Sequence, residues 1–235
     1  MTSETPPFTN ADIAVVFGAT GGIGAALLAA LQASQRFTHV VGVSRADGFD
    51  LTDEASIARA VDAAAARGNI RLAIDATGFL HDENQSPEKS LRDLDAQKLA
   101  RAFALNAIGP ALIMKHLLPR LPRKGRAVFA TLSARVGSIG DNRLGGWYGY
   151  RASKAALNQF VRTAAIELAR RAPEAICVAL HPGTVRTALS APFVGGDRDA
   201  VTPDQSAENL LRVIEGLSAA GTGGFFDWRG ERVQW

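Results

Sequence analysis

The sequence predicts an α/β protein built on a doubly wound parallel sheet, with helices on both faces, and three observations carry that prediction. Short continuous apolar runs recur at residues 13–17, 40–43, 70–74, 127–132 and 175–180, as strands buried on both sides require. Helical stretches of roughly 10 to 20 residues alternate with these runs. A glycine cluster follows the first run directly, at the point where a strand would hand over to a helix.

Composition bounds the rest. At 235 residues and 47% hydrophobic content, the chain can bury the core of one domain, so residues 1–235 are expected to form a single unit. The lone Cys177 sits in A-I-C-V-A, which excludes an internal disulfide and suits a buried strand thiol in a reducing compartment. The opening M-T-S-E-T-P-P-F-T-N has no charged-then-apolar leader, and no later run reaches the roughly 18 apolar residues of a membrane span. A cytoplasmic protein with no membrane partner is expected. The net charge is +3, but the arginines are scattered, and the densest basic cluster, residues 120–126, is broken by Pro122 and Gly125. That argues against a nucleic-acid partner. His39, His81, His116 and His181 lie too far apart for a metal site.

Taken in order, residues 1–11 read as a flexible Pro-containing tail. The first strand, 13–17, runs into G-A-T-G-G-I-G, which sets Gly18, Gly22 and Gly24 between it and the helical pattern of Ile23, Leu27 and Leu31. Glycines there let the backbone approach a pyrophosphate, held by the amides and dipole of a helix N-terminus. The second run ends at Ser44-Arg45, where an acid would normally hold an adenosine ribose. A guanidinium there suits a 2′-phosphate and hence NADP(H) over NAD(H). Residues 49–53 read as a further short strand, a turn and the cap of a helix over 54–67, which brings the count to about seven strands with the last at 224–228. The run 70–74 ends at Asp75-Ala76-Thr77-Gly78, on the sheet edge where ligands collect. A long helical region over 95–121 carries Asn106 in apolar surroundings, either as a satisfied core amide or as part of a site. The run 127–132 leads to Ser133, Ala134 and Ser138; 175–180 leads to H-P-G-T-V-R-T; and a last helix covers 205–217.

The stretch W-Y-G-Y-R-A-S-K-A-A-L-N (147–158) puts Tyr150 and Lys154 four apart on one helix face. An ammonium near a phenol favours the phenolate, which gives Tyr150 a reason to act as acid or base. Tyr148, the only other tyrosine, has Ala152 in the matching place.

Together, G-A-T-G-G-I-G, D-A-T-G, Asn106, Y-R-A-S-K and H-P-G-T-V-R-T, in this order and over nearly the whole length, resemble the short-chain dehydrogenase/reductase family, which has a Rossmann-type fold. N-A-I-G-P, A-R-V-G-S-I-G-D-N and the ending F-F-D-W-R-G-E-R-V-Q-W are similar to its C-factor and sniffer-like carbonyl reductase subgroup. The resemblance implies an NADP(H)-dependent oxidoreductase moving hydride between the nicotinamide and a carbonyl or secondary alcohol substrate. Tyr150 is then the acid/base, Lys154 holds the nicotinamide ribose and lowers the tyrosine pKa, and Asn106 anchors a relay water. It also implies that Gly18, Thr20, Gly21, Gly22, Ile23 and Gly24 surround the pyrophosphate. Ser44 and Arg45 meet the ribose, Asp50 and Leu51 the adenine, Ala76, Thr77 and Gly78 the cofactor edge, and Pro182, Gly183, Val185 and Thr187 the carboxamide. Residues 188–202 become a mobile substrate lid. A dinucleotide-binding signalling protein with little catalysis is the alternative.

Two departures stand out. D-A-T-G replaces the family's N-N-A-G, a change expected to alter only sheet-edge hydrogen bonds. The serine that polarises the substrate carbonyl falls on Ala134, which leaves Ser133, or alternatively Ser138, as the replacement donor. The helix after Tyr150 carries Leu157, Phe160, Val161, Ile166 and Leu168, more apolar surface than one core face requires, so a homodimer or homotetramer through it is expected.

Overall fold

Residues 12–194 and 200–235 are described by the computed structural model. The expected tail and residues 195–199 of the expected lid lie outside the described residues. Strands β1 (Asp12–Phe17), β2 (His39–Val43), β3 (Asn69–Asp75), β4 (Ala127–Leu132), β5 (Ala175–His181) and β6 (Phe225–Asp227) pair in parallel in the order β2-β1-β3-β4-β5-β6. The helices are α1 (Gly22–Ser34), α2 (Glu54–Ala65), α3 (Ala96–Phe103), α4 (Gly109–Leu117), α5 (Tyr148–Arg171), α6 (Ala191–Val194) and α7 (Pro203–Gly216).

Strand alternation divides the core between the two sheet faces. Ile13, Val15, Phe17, Phe129 and Cys177 face one way, onto Ile57 and Val61 of α2, Ile113 and Leu117 of α4, and Leu157 and Val161 of α5. Ala14, Val16, Val128, Ile176 and Val178 face the other, onto Leu27 and Leu31 of α1 and Leu210 and Ile214 of α7. Cys177 is fully buried, which pushes its thiol up to about 12 and leaves it unreactive.

The sheet has six strands among the described residues, not seven. Residues 49–53 do not join it, because a turn at Arg45–Asp47 ends in Gly48 at φ +76° and the Asp50 carboxylate then accepts from the Thr52 amide and hydroxyl, both at 2.8 Å. This Asx turn bends the chain out of extended form. Phe49 still reaches the core, 5.6 Å from the Phe17 ring, and Asp53 caps α2 through the Ala55 amide.

The expected long helix over 95–121 starts at its Asp95 cap, on the Lys98 amide at 2.9 Å, but a π-helical turn at Ala104–Ile108 interrupts it. Ala96–Arg120 is long and apolar enough by length and composition to cross a membrane, contrary to the sequence expectation. Half of its most apolar window is buried inside the fold, where it packs as a core helix. On α5, Leu157, Val161 and Leu168 turn to the core, while Phe160 and Ile166 are exposed.

Candidate active site

The strand order reverses between β1 and β3, and in such sheets the crevice at the carboxyl ends is where ligands bind. A cleft of about 430 Å³ opens there, bringing together Gly18, Thr20 and Gly21 after β1, Ser44, Arg45, Asp50 and Leu51 after β2, and Ala76, Thr77 and Gly78 after β3. Gly18 has φ +76°, and a Cβ on it would stand 3.0 Å from the Ala76 carbonyl. Gly24 does not line this cleft. It is buried, and a Cβ there would lie 2.1 Å from the Gly18 oxygen, so it is glycine because α1 packs onto the turn. A Cβ on Gly22 would lie 2.7 Å from the Thr187 side chain, so that glycine serves the approach of the loop after β5.

At the end of β2 the structure adds an acid that a search at the strand tip overlooks. The Asp47 carboxylate folds back to accept from the Ser44 amide at 3.0 Å and the Ser44 hydroxyl at 2.8 Å. The Ser44 hydrogen is therefore committed to Asp47, while Arg45 is exposed and lines the cleft. The Ser-x-x-Asp spacing of a capping box was the available signal.

A second cavity, about 350 Å³, adjoins the first at Leu189. It gathers Ile23, Ser133, Ala134, Tyr150, Pro182, Gly183, Val185 and Thr187 from four separate segments, with Trp147, His181 and Phe193. Tyr150 stands in the first turn of α5. The chain enters that helix through Gly145, Gly146 and Trp147, all at positive φ, and Glu88 accepts from the Trp147 amide through its backbone and from the Gly149 amide through its carboxylate. Trp147 lies edge-on to Tyr150 at 6.1 Å and to Phe193 at 5.1 Å.

One turn later the buried Lys154 donates through Nζ to the Leu132 carbonyl at 2.8 Å, and Nζ lies 6.0 Å from the Tyr150 ring centroid. Burial brings Lys154 down to about 8, against the opposing charge of Asp75. Burial also pushes Tyr150 up to about 12. The expected lowering of the tyrosine by the lysine is thus not found here, where desolvation sets the direction. Asp75 does more than trim sheet-edge hydrogen bonds. It is fully buried, accepts from the Thr77 amide at 3.0 Å, the Thr77 hydroxyl at 2.5 Å and Thr131 at 2.7 Å, and is raised by burial.

Asn106 sits in the π-helical turn, fully buried. Its Oδ1 accepts from the Phe79 amide and its Nδ2 donates to the Phe79 carbonyl, both at 2.7 Å, with Ser153 a third partner at 3.2 Å. A π-turn is the local irregularity that functional sites favour, and here it aims an amide across at the loop after β3. Of the two candidate serines, Ser133 lines the Tyr150 cavity and donates its hydrogen to Asn158 Oδ1 at 2.7 Å. Ser138 is buried outside that lining and accepts from the Asp141 amide.

A family model described as enoyl-(acyl carrier protein) reductase matches residues 18–217. The C-signal protein of Myxococcus xanthus is 40% identical over 146 residues, covering 62% of this chain and 84% of that one. The 1-hydroxy-2-glutathionyl-2-methyl-3-butene dehydrogenase of Rhodococcus sp. strain AD45 is 31% identical over 195 residues, covering 83% and 81%. The chain belongs to the short-chain dehydrogenase/reductase family. Among solved structures, the NADPH-bound carbonyl reductase from chicken fatty liver matches this short-chain dehydrogenase/reductase with a TM-score of 0.80 and 25% identity, over 100% of this chain and 97% of that one.

Within this short-chain dehydrogenase/reductase, sequence reasoning missed Asp47, Trp147, Phe193, Asn158 and His181. Asn158 was findable, since it follows Lys154 by four and Tyr150 by eight on the same helix face. Phe193 was not, because nothing in its local pattern says that α6 turns back onto Trp147.

Proposed function

We propose that the protein is a single-domain, cytoplasmic reductase or reversible alcohol dehydrogenase that uses NADP(H) and a small carbonyl or secondary alcohol substrate, with Tyr150 as the proton donor and acceptor. The observation that supports it most is the convergence of Tyr150, the loop after β5 and the β4 edge on one cavity that adjoins the glycine-lined cleft. The cleft fits a dinucleotide: a Cβ at Gly18 would meet the Ala76 carbonyl, and α1 begins at Gly22 with no side chain capping its first amides. Gly18, Thr20, Gly21, Gly22 and Ile23 would hold the pyrophosphate. Arg45 would hold a 2′-phosphate, Asp50 and Leu51 the adenine, and Ala76, Thr77, Gly78 and residues 182–187 the remainder. When bound, the nicotinamide supplies or accepts hydride.

The chain's own residues do the rest. Lys154, fixed on the Leu132 carbonyl with its Nζ 6.0 Å from the Tyr150 ring centroid, would hold the nicotinamide ribose, and its charge would favour the phenolate once Tyr150 has given up its proton. Asn106 ties the π-helical turn to the loop after β3 through Phe79, which lines the glycine-lined cleft. His81 donates through Nε2 to the Leu189 carbonyl in the lid region, 3.0 Å away, and Phe193 packs edge-on against Trp147. We read residues 188–202 as the segment that selects the substrate. The exposed Phe160 and Ile166 on α5 support a homodimer or homotetramer through that helix, against which a monomeric mass by light scattering would count.

A second reading, a dinucleotide-binding signalling protein with little catalysis, is favoured by the 40% identity to C-signal and by Ala134. NADPH consumption with a panel of diketones and quinones separates the two. Turnover abolished by Tyr150→Phe supports the reductase, and tight NADPH binding without turnover supports the second reading.

A further inference from the structure

In carbonyl reduction the oxygen gains negative charge before it gains its proton, so a preorganised donor is needed beside the tyrosine. Position 134 has no hydroxyl, and the Ser133 hydrogen is already given to Asn158. Thr187 and Ser190 are engaged with one another and with the Val185 carbonyl. Arg135 is half exposed and turned toward Asp141 and Asp227, each at 3.7 Å.

His181 differs from all of these. It ends β5 and lines the Tyr150 cavity, and its buried Nδ1 has no hydrogen-bond partner among the described residues. Strand register sets its direction. Leu132 pairs with Leu180 and the Ser133 amide donates to the Leu180 carbonyl at 2.8 Å, which brings His181 beside Ser133. Paired residues in a parallel sheet share a face, and Phe129 and Cys177, two pairs back along that face, belong to the core on the α5 side. Ser133 and His181 therefore project toward α5, which carries Tyr150.

We propose that His181 is a catalytic residue that donates an imidazole N–H to the substrate oxygen, replacing the serine absent at position 134. This rests on the reductase reading above. A buried nitrogen lone pair left bare costs less than a buried N–H without an acceptor, so the proton sits on Nε2 and is free for the substrate. Burial holds the ring down at about 4, with the Arg135 charge acting in the same direction and Asp227 against it. His181 is then a neutral donor at working pH, and a neutral imidazole is a competent electrophile. It keeps its proton throughout: no bond to it forms or breaks, and Tyr150 alone delivers a proton to the oxygen.

The test is steady-state turnover of a diketone with NADPH for His181→Ala, His181→Gln and each combined with Ala134→Ser. Removing the donor should lower kcat about a hundredfold while NADPH binding is kept. Glutamine, which retains an N–H, should lose less. Ala134→Ser should raise His181→Ala at least about tenfold and the wild type hardly at all, since the two donors serve one oxygen. Wild-type kcat in His181→Ala, or equal gains from Ala134→Ser in both backgrounds, would overturn the proposal. Nitrogen-15 NMR of labelled histidine checks the intact enzyme directly, and a proton on Nδ1 of His181 would also overturn it. A wild type that consumes no NADPH with any carbonyl would bring down the reductase reading itself, a result distinguishable from an active enzyme indifferent to His181.

Discussion

The Ser133 hydroxyl donates its hydrogen to Oδ1 of Asn158, 2.7 Å away, and so ties the end of β4 to the middle of α5. Both side chains are buried. A hydroxyl has one hydrogen to give, so Ser133 cannot polarise a substrate without releasing Asn158. Ser133→Ala should therefore act chiefly on stability, costing about 1 to 3 kcal/mol because the Asn158 oxygen loses its partner. Denaturant unfolding beside kcat checks this. A large fall in kcat with unchanged stability would return the donor role to Ser133.

Tyr148 and Tyr150 provide a paired test, since they are two residues apart and only Tyr150 is followed at four by a lysine. Tyr150→Phe should lower kcat by roughly 10² to 10⁴ while NADPH still binds. Tyr148→Phe should leave kcat near wild type. Fluorescence titration of NADPH accompanies both assays, and normal activity in Tyr150→Phe would end the proposed mechanism.

Cofactor choice turns on Arg45 and Asp47. Arg45→Ala should weaken NADPH by roughly 10- to 100-fold and leave NADH almost unchanged, as expected for the loss of a charge-assisted bond. Asp47→Ala frees the Ser44 hydroxyl and removes a carboxylate from the same corner, so it should tighten NADPH. Calorimetric Kd values for both cofactors measure the effect. Equal wild-type affinity for NADH and NADPH would remove the basis for the preference.

The buried Lys154 makes stability depend on pH. Its folded value is about 8, below the 10.5 of a free lysine. Between these, the unfolded chain holds a proton that the native one has lost, so stability rises with pH across this window. The raised Tyr150 acts in the opposite sense only above about 10. The ligand-free protein should thus gain on the order of 1 to 2 kcal/mol from about pH 8 to 10, relative to Lys154→Met followed in parallel. Identical pH profiles for the two proteins would contradict the burial of this charge.

The sequence by itself determined the sheet, because apolar runs buried on both faces have a signature that needs no neighbour to read. It also determined the Tyr150–Lys154 pair and the glycine turn, whose chemistry is local: four residues along a helix, or a backbone that admits no Cβ. The tertiary structure decided everything that depends on two distant segments meeting. Residues 49–53 have strand character, yet an Asx turn bends them away from the sheet edge. Ser44-Arg45 suggested a corner for a ribose 2′-phosphate, and only the fold shows Asp47 turned back to take the Ser44 hydroxyl's hydrogen. The Tyr150–Lys154 spacing was legible, whereas the desolvation that raises Tyr150 depends on what encloses the helix. Ser133 and His181 are 48 residues apart in the chain, and only the pairing of β4 with β5 sets them side by side facing α5. A sequence states which groups are present; which of them still has a hydrogen to give is settled by the partners that folding assigns.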